Sequence, residues 1–176
     1  MRRRISKLRY QIYRSQARTL TQELLYRQPD LLRGDVEIGQ VRMEPITHEA
    51  LAASLEWPES QCLFPWEEIT DWKDTDPKGF DLAIWSGSEL CGLCYASPRK
   101  SRLCIKVILL QGNPCPSHPL RGEIAGLALT SIDFYARMLG CLEIEIQDPL
   151  EGARSVYEAL GFTWTAEGRL VILVDP

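Results

Sequence analysis

Apolar residues recur along the first part of the chain at helical intervals. Between residues 4 and 25, Ile5, Leu8, Ile12, Tyr13, Leu20 and Leu24 fall on one half of a helical projection, and Lys7, Arg14 and Arg18 on the other. The spacing predicts an amphipathic helix with an apolar inner face and a basic outer one. Pro29 and Gly34 in "RQPDLLRGD" end it, because proline cannot continue the hydrogen-bond ladder. Beyond residue 35 the period changes. "VEIGQVRME" predicts a strand with a kink at Gly39. In "ITHEALAASLEW", Thr47 is a good N-cap for a helix carrying Ile46, Leu51 and Leu55. "FDLAIWSGSELCGLCYAS" predicts a hairpin that turns at Gly87. "RLCIKVILLQG" is a nearly unbroken apolar run, which predicts a central strand covered on both faces.

The proline-rich loop "NPCPSHPLRG" leads from that strand into a helix over 122–139, with Ile124, Ala128, Ile132, Tyr135 and Leu139 on one face and Gly140 as its stop. "CLEIEIQDP" alternates Leu142, Ile144 and Ile146 against Glu143, Glu145 and Gln147, a strand with one polar face. "LEGARSVYEALGF" predicts a second helix ending at Gly161, and "FTWTAEGRLVILV" a closing hairpin. Residues 57–79 are rich in tryptophan and proline. They predict a short helix, "PWEEITDW", whose aromatic residues suit either packing or the wall of a small-molecule pocket. From residue 36 the order is β-α-(α)-β-β-β-α-β-α-β-β.

Composition places this pattern in a globular α/β protein: 176 residues, 45% hydrophobic and 25% charged. Charge divides the chain. Residues 1–34 hold nine basic and two acidic residues, a net of +7; residues 35–176 hold eleven and twenty-two, a net of −11. The expected organisation is a basic helical arm over 1–34 appended to a domain over 35–176. The simplest place for the arm's outer arginines is solvent. Nucleic acid or an acidic partner is the alternative, and the aromatic interleaving that would favour nucleic acid is thin, only Tyr10, Tyr13 and Tyr26. The arm also suits contact with a second copy in a homodimer. No apolar run approaches the ~20 residues that span a bilayer, and the basic start lacks the apolar core of a secretory signal, so a cytoplasmic location without a membrane partner is expected.

Cys91, Cys94, Cys115 and His118 have the ligand types of a Cys3His zinc site. A spacing of three along a strand sends Cys91 and Cys94 to opposite faces, however, so no metal is expected.

With the elements in place, "ARSVYEALGF" (153–162) resembles the C-terminal signature of the GNAT superfamily of N-acetyltransferases. The element order over 36–174 resembles that fold too: a mixed, mostly antiparallel central sheet flanked by helices, here with the basic N-terminal extension. The resemblance implies acetyl-CoA as co-substrate, bound where two central strands splay. Backbone groups at Leu109, Leu110 and Gln111 would take the pantetheine arm. The loop and helix N-terminus at Arg121, Gly122, Ile124, Ala125 and Gly126 would take the pyrophosphate, where free N–H groups and the helix dipole favour anions. Ile124 stands where the family pattern has a small residue. Tyr157 matches the tyrosine that protonates the departing thiolate, while its place on an apolar helix face also suits packing. For a general base, Glu145 and Asp148 are the candidates, with His118 a third. The expected activity is acetyl transfer to a primary amine of a small-molecule or peptide acceptor by direct attack in a ternary complex. The alternative is a GNAT-fold binding or regulatory module with a degenerate cofactor turn, acting through the arm.

Overall fold

The structure is a computed structural model that describes residues 2–58, 61, 63–101 and 103–175, with side chains from Ile5 onward; Cys62 lies outside the described residues. The described strands form a single sheet: Val41–Glu44 (β1), Phe80–Ser86 (β2), Glu89–Pro98 (β3), Cys104–Gly112 (β4), Glu143–Ile146 (β5), Thr163–Trp164 (β6) and Leu170–Leu173 (β7). Their spatial order is β1-β2-β3-β4-β5-β7-β6. Neighbours run antiparallel except β4 and β5, which run parallel and therefore need a crossover. The helices are Arg2–Arg27 (α1), His48–Ser54 (α2), Ile69–Thr75 (α3), Ile124–Leu139 (α4) and Arg154–Ala159 (α5), and α4 makes that crossover.

Local chemistry sets these boundaries. The Thr47 hydroxyl accepts the Ala50 N–H and caps α2. Gly140, at φ 78°, ends α4 in the left-handed conformation that an L side chain resists. Expected strand 36–43 begins only at Val41, because Ile38–Gln40 closes a 3-10 turn in place of the kink at Gly39.

Both faces of the central strands are covered. Phe80, Leu82 and Ile84 of β2 face a core shared with α1, α4 and α5, and Ala83 and Trp85 face a second core under α2 and α3. Two bulges interrupt the alternation. Ile84 pairs with Gly92 and Trp85 with Leu90, which leaves Cys91 as an extra residue; Tyr95 pairs with Leu109 and Ala96 with Val107, which leaves Ile108 as another. The first bulge corrects an expectation from spacing. It shifts the phase of β3, so Cys91 and Cys94 sit in the same core and not on opposite faces.

Helix α1 forms as expected but faces the other way. Tyr10, Ala17, Thr21 and Leu25 are buried, while Ile5, Leu8, Ile12 and Leu20 are exposed. The face rich in arginine turns toward the protein. Arg14 donates to the Pro77 and Gly79 carbonyls at 2.9 and 3.1 Å. Arg18 is buried against β2, donating to the Asp81 carbonyl at 2.6 Å and to its carboxylate at 3.1 Å. Asp81 also accepts Lys73 at 2.9 Å and the Ile46 N–H at 2.8 Å. β1 ends at Glu44, opposite Ala83, so the edge of β2 on that side is open at Asp81, and the arginine supplies donors to it. The Gln22 amide does the same for β1, bonding both the Val41 carbonyl and the Met43 N–H. Backbone hydrogen bonding along two strand edges thus outweighs the apolar periodicity of the helix.

Candidate functional site

The parallel ladder between β4 and β5 runs from Cys104 opposite Glu143 to Val107 opposite Ile146, and the Gln147 N–H extends it to the Val107 carbonyl at 2.9 Å. There the strands part. Asp148 takes a positive φ of 44° and turns the chain away, while β4 continues to Gly112. Asparagine and aspartate tolerate this region better than other side chains, so the turn is placed by residue type. The gap is a cleft of about 240 Å³ lined by Phe64, Ile108, Leu110, Asp148, Leu150 and Tyr157, among others. Along it, β4 presents the edge that β5 has left, including the bulged Ile108. The bulge, Phe64 and Leu150 are features that the periodic pattern could not locate.

Tyr157 enters the cleft from α5. It is buried, and Phe162 packs edge-on at 5.9 Å between ring centroids. Burial, with Cys94 nearby, pushes its phenol up to about 12. Among the described residues none hydrogen-bonds its hydroxyl.

The candidate bases separate. Asp148 lines the cleft and is exposed. Glu145 does not line it. It lies under Arg99, Lys106 and Arg169, with the Arg169 guanidinium at 2.7 Å and Arg99 at 2.8 Å. Burial pushes Glu145 up, but its bonds to Arg169 and the Lys106 and Arg99 charges outweigh that and hold it below the usual carboxylate value. A carboxylate so paired is a poor proton acceptor, which corrects its candidacy as a base. Glu143 shares Arg169. His118 is buried in its loop with Nδ1 unbonded, and desolvation lowers its pKa; it lines neither the cleft nor the groove described next.

A larger groove of about 550 Å³ opens at the N-terminus of α4. Gly122, Glu123, Ala125 and Gly126 form its floor, and Ser155, Val156, Ala159 and Leu160 of α5 form one wall. The opposite wall comes from the N-terminal segment, through Leu24, Leu31, Leu32 and Arg33. Leu31, Val156 and Leu160 are exposed apolar residues facing this space. The first ladder bond of α4 runs from the Leu127 N–H to the Glu123 carbonyl at 3.0 Å, so the N–H groups before it lie outside the helix's own ladder. A Cβ on Gly122 or Gly126 would meet nothing within 4 Å; these glycines leave open space, not tight packing. Gly122, at φ 83°, lies in the turn before the helix, so the helix expected over 122–139 begins only at Ile124.

Ile124 does not enter the groove. Its side chain is buried and turns toward the sheet, over Gly92 and Gly112. A Cβ on Gly92 would stand 2.5 Å from Ile124 Cγ2. The bulk expected to obstruct the cofactor turn therefore fills a hollow left by two strand glycines. Arg121 is exposed and donates to the Pro116 carbonyl at 3.4 Å, outside the groove lining; Arg33, which the pattern did not single out, is inside it. Leu109 and Leu110 line the cleft. Gln111 is buried, and its amide pins the tryptophan-rich segment, accepting Trp66 Nε1–H at 3.0 Å and donating to the Gln61 carbonyl at 2.7 Å.

Cys91, Cys94, Cys115 and His118 do not form a group whose ligand atoms lie within 4.8 Å of one another. Among the described residues, the group whose ligand atoms lie within 4.8 Å of one another is Cys104, Glu143 and Glu145, and the three cations around it already neutralise its carboxylates. No described helix is long and apolar enough to cross a membrane.

No family model matches the sequence, and no curated protein sequence matches it significantly. Solved structures do match its backbone. The ribosomal-protein-S18-alanine N-acetyltransferase from Escherichia coli aligns over 77% of this chain and 95% of its own, at 13% identity and a TM-score of 0.56. The aminoglycoside 6'-N-acetyltransferase from Enterococcus faecium covers 76% and 97%, at 15% and 0.55. The spermidine N-acetyltransferase from Vibrio cholerae, a dodecamer, covers 77% and 94%, at 16% and 0.56. At these identities the likeness lies in the fold, and the fold is that of the GNAT superfamily.

Proposed function

We propose that this GNAT-fold chain transfers an acetyl group from acetyl-CoA to a primary amine by direct attack. The observation that carries the reading is the splay of β4 from β5, with Tyr157 and Asp148 both lining the gap, and the α4 N-terminus opening on a groove walled by α5, the helix that carries Tyr157. The residues present fit the co-substrate. Free N–H groups of Ile124, Ala125 and Gly126, over glycines that leave room, suit a diphosphate. The unpaired edge of β4 at Leu109–Gln111 suits the amides of a pantetheine arm, as a third strand would. The apolar walls of Leu31, Val156 and Leu160 suit the less polar parts of the same molecule.

Acetyl-CoA supplies the thioester that the amine attacks. The chain's part is to hold the two together and to manage protons. The acceptor arrives as an ammonium and must lose a proton. Asp148, the acid that lines the cleft among the described residues, accepts it directly or through water. Tyr157, whose phenol burial pushes up to about 12, is protonated at neutral pH as any phenol is; it gives its proton to the sulfur as the C–S bond breaks and recovers one from the attacking nitrogen. The products are the amide and the thiol, and the ammonium's first proton stays with Asp148.

An exposed carboxylate suits a cationic acceptor, and Phe64 beside the cleft suits one with an apolar portion. The spermidine and aminoglycoside enzymes of the same fold act on amines, in keeping with this class.

The test is thermal unfolding with and without acetyl-CoA. A donor at ~100 times its dissociation constant stabilises the protein by about 2.7 kcal/mol, which for a chain of this size raises the melting temperature by roughly 5–10 °C. No shift at millimolar acetyl-CoA removes the reading. A second reading, a binding module of the same fold, draws on the exposure of Asp148 and on its being the single acid lining the cleft among the described residues. It predicts the same shift but no thiol release with any amine offered.

A further inference from the structure

A carboxylate stands where the groove is otherwise most attractive to phosphates. Glu123 is the N-cap residue of α4, yet its side chain makes no capping bond to its own helix. It reaches across the groove instead, and Oε1 accepts the backbone N–H of Arg33 at 3.1 Å. Arg33 follows the Pro29–Leu31 turn that ends the N-terminal helical segment, and Leu31 and Leu32 beside it form the groove's far wall. One hydrogen bond therefore ties the segment after α1 to the entry of α4. Arg33 itself lines the groove.

We propose, with the acetyl-CoA reading as premise, that Glu123 is an anionic clasp at the diphosphate position: donor binding releases it from Arg33, and its charge sets how tightly a phosphate-bearing donor is held. In the free protein the helix dipole favours a carboxylate at this end. A diphosphate seeks the same end, where the α4 N–H groups are unpaired, and it brings further negative charge beside Glu123. The carboxylate holds the Arg33 N–H and the diphosphate would hold those of α4, so the two anions oppose each other by charge at one helix end. When the carboxylate yields, the Arg33 amide loses its partner and residues 28–35 lose this tie to α4. The arginine side chain is then free to turn toward the incoming phosphates. Glu123 thus selects among donors by their charge, and the N-terminal segment reports their arrival.

The experiment titrates CoA and pantetheine into the full chain and into its Glu123→Gln and Glu123→Ala variants. Glutamine keeps the shape and a carbonyl acceptor for Arg33 and removes only the charge. CoA is expected to bind Glu123→Gln on the order of three- to tenfold tighter than the wild type, with the difference shrinking in high salt. Pantetheine, which has no diphosphate, is expected to bind both equally. Hydrogen exchange at the Arg33 amide is expected to be slow in the free wild type and to quicken when CoA saturates it. In free Glu123→Ala it is expected to be fast from the start. Equal or weaker CoA binding by Glu123→Gln, or Arg33 exchange indifferent to CoA, overturns the clasp and leaves the acetyl-CoA reading standing. CoA binding to none of the three proteins overturns both.

Discussion

A methyl group added to Gly92 would place its carbon 2.5 Å from Ile124 Cγ2, a contact that backbone on one side and a buried isoleucine on the other cannot relieve without movement. Gly92→Ala is therefore expected to destabilise the protein by about 1–3 kcal/mol in urea unfolding, and an unchanged midpoint would show that Ile124 repacks freely. The same geometry explains why Ile124 misleads when read from a motif. The pattern records that a small residue belongs there, but not that two strand glycines lie beneath it. Tyr157 is a different case, because its residue type and its position after Arg154 in "ARSVYEALGF" were legible. What the chain alone left open was whether it packs or reacts, and the structure has it packed against Phe162 while it also lines the cleft. Tyr157→Phe is expected to keep acetyl-CoA affinity and lower turnover by about 10²-fold; unchanged turnover would assign the tyrosine to packing alone.

At the scale of elements, α1 carries the largest departure from expectation. Its period predicted a helix, and a helix forms, but orientation is a tertiary property. The buried Thr21 hydroxyl meets Ser131 of α4 at 2.7 Å, and Arg18 stacks 5.4 Å over the Phe80 ring while it bonds Asp81. Burial alone would push the Asp81 carboxyl up, yet Arg18 and Lys73 outweigh it and hold it low. Replacing Arg18 by alanine leaves a buried carboxylate short of a partner and is expected to cost about 3–5 kcal/mol by chemical denaturation. A loss under ~1 kcal/mol, the scale of a surface ion pair, would return α1 to the status of an appended arm. The strands and α4 were easier to read because their apolar positions are the ones that become buried. In α1, a polar edge had to be satisfied, and no apolar period announces that.

For the whole molecule, pH sets a window of stability. Burial pushes the thiols of Cys91, Cys104 and Cys141 up to about 11 and the Tyr157 phenol to about 12. Their folded pKa values lie above the unfolded ones of ~8.5 and ~10. The unfolded chain therefore releases these protons first, and stability that is complete below pH ~8.5 falls as pH rises toward 11. On the acid side the shifts run the other way. Desolvation lowers His118, and ion pairing lowers Asp81 and Glu145. The unfolded chain binds those protons first, so stability falls below ~6.5 as His118 titrates and again below ~4 as the carboxylates do. Urea midpoints measured from pH 3 to 11 are expected to form a plateau between about 6.5 and 8.5. A midpoint that holds steady to pH 11 would mean that the buried thiols and phenol titrate as exposed groups do.

The sequence by itself determined the kind and order of the elements beyond residue 40, because periodicity, caps and turn residues are local and act within a few positions of one another. It also placed the glycine-bearing turn before α4 and the tyrosine of α5, which are local signals too. The tertiary structure alone decided which face of α1 is buried, which of two nearby acids reaches the cleft, and where the Ile124 side chain goes. Each of these depends on groups far apart in the chain: Arg18 on Asp81, Glu145 on Arg169 and Arg99, Ile124 on Gly92. A side chain's partner across the sheet leaves no mark in its neighbours along the chain, and the change that a single bulge makes in a strand's phase is visible only once the strands are paired.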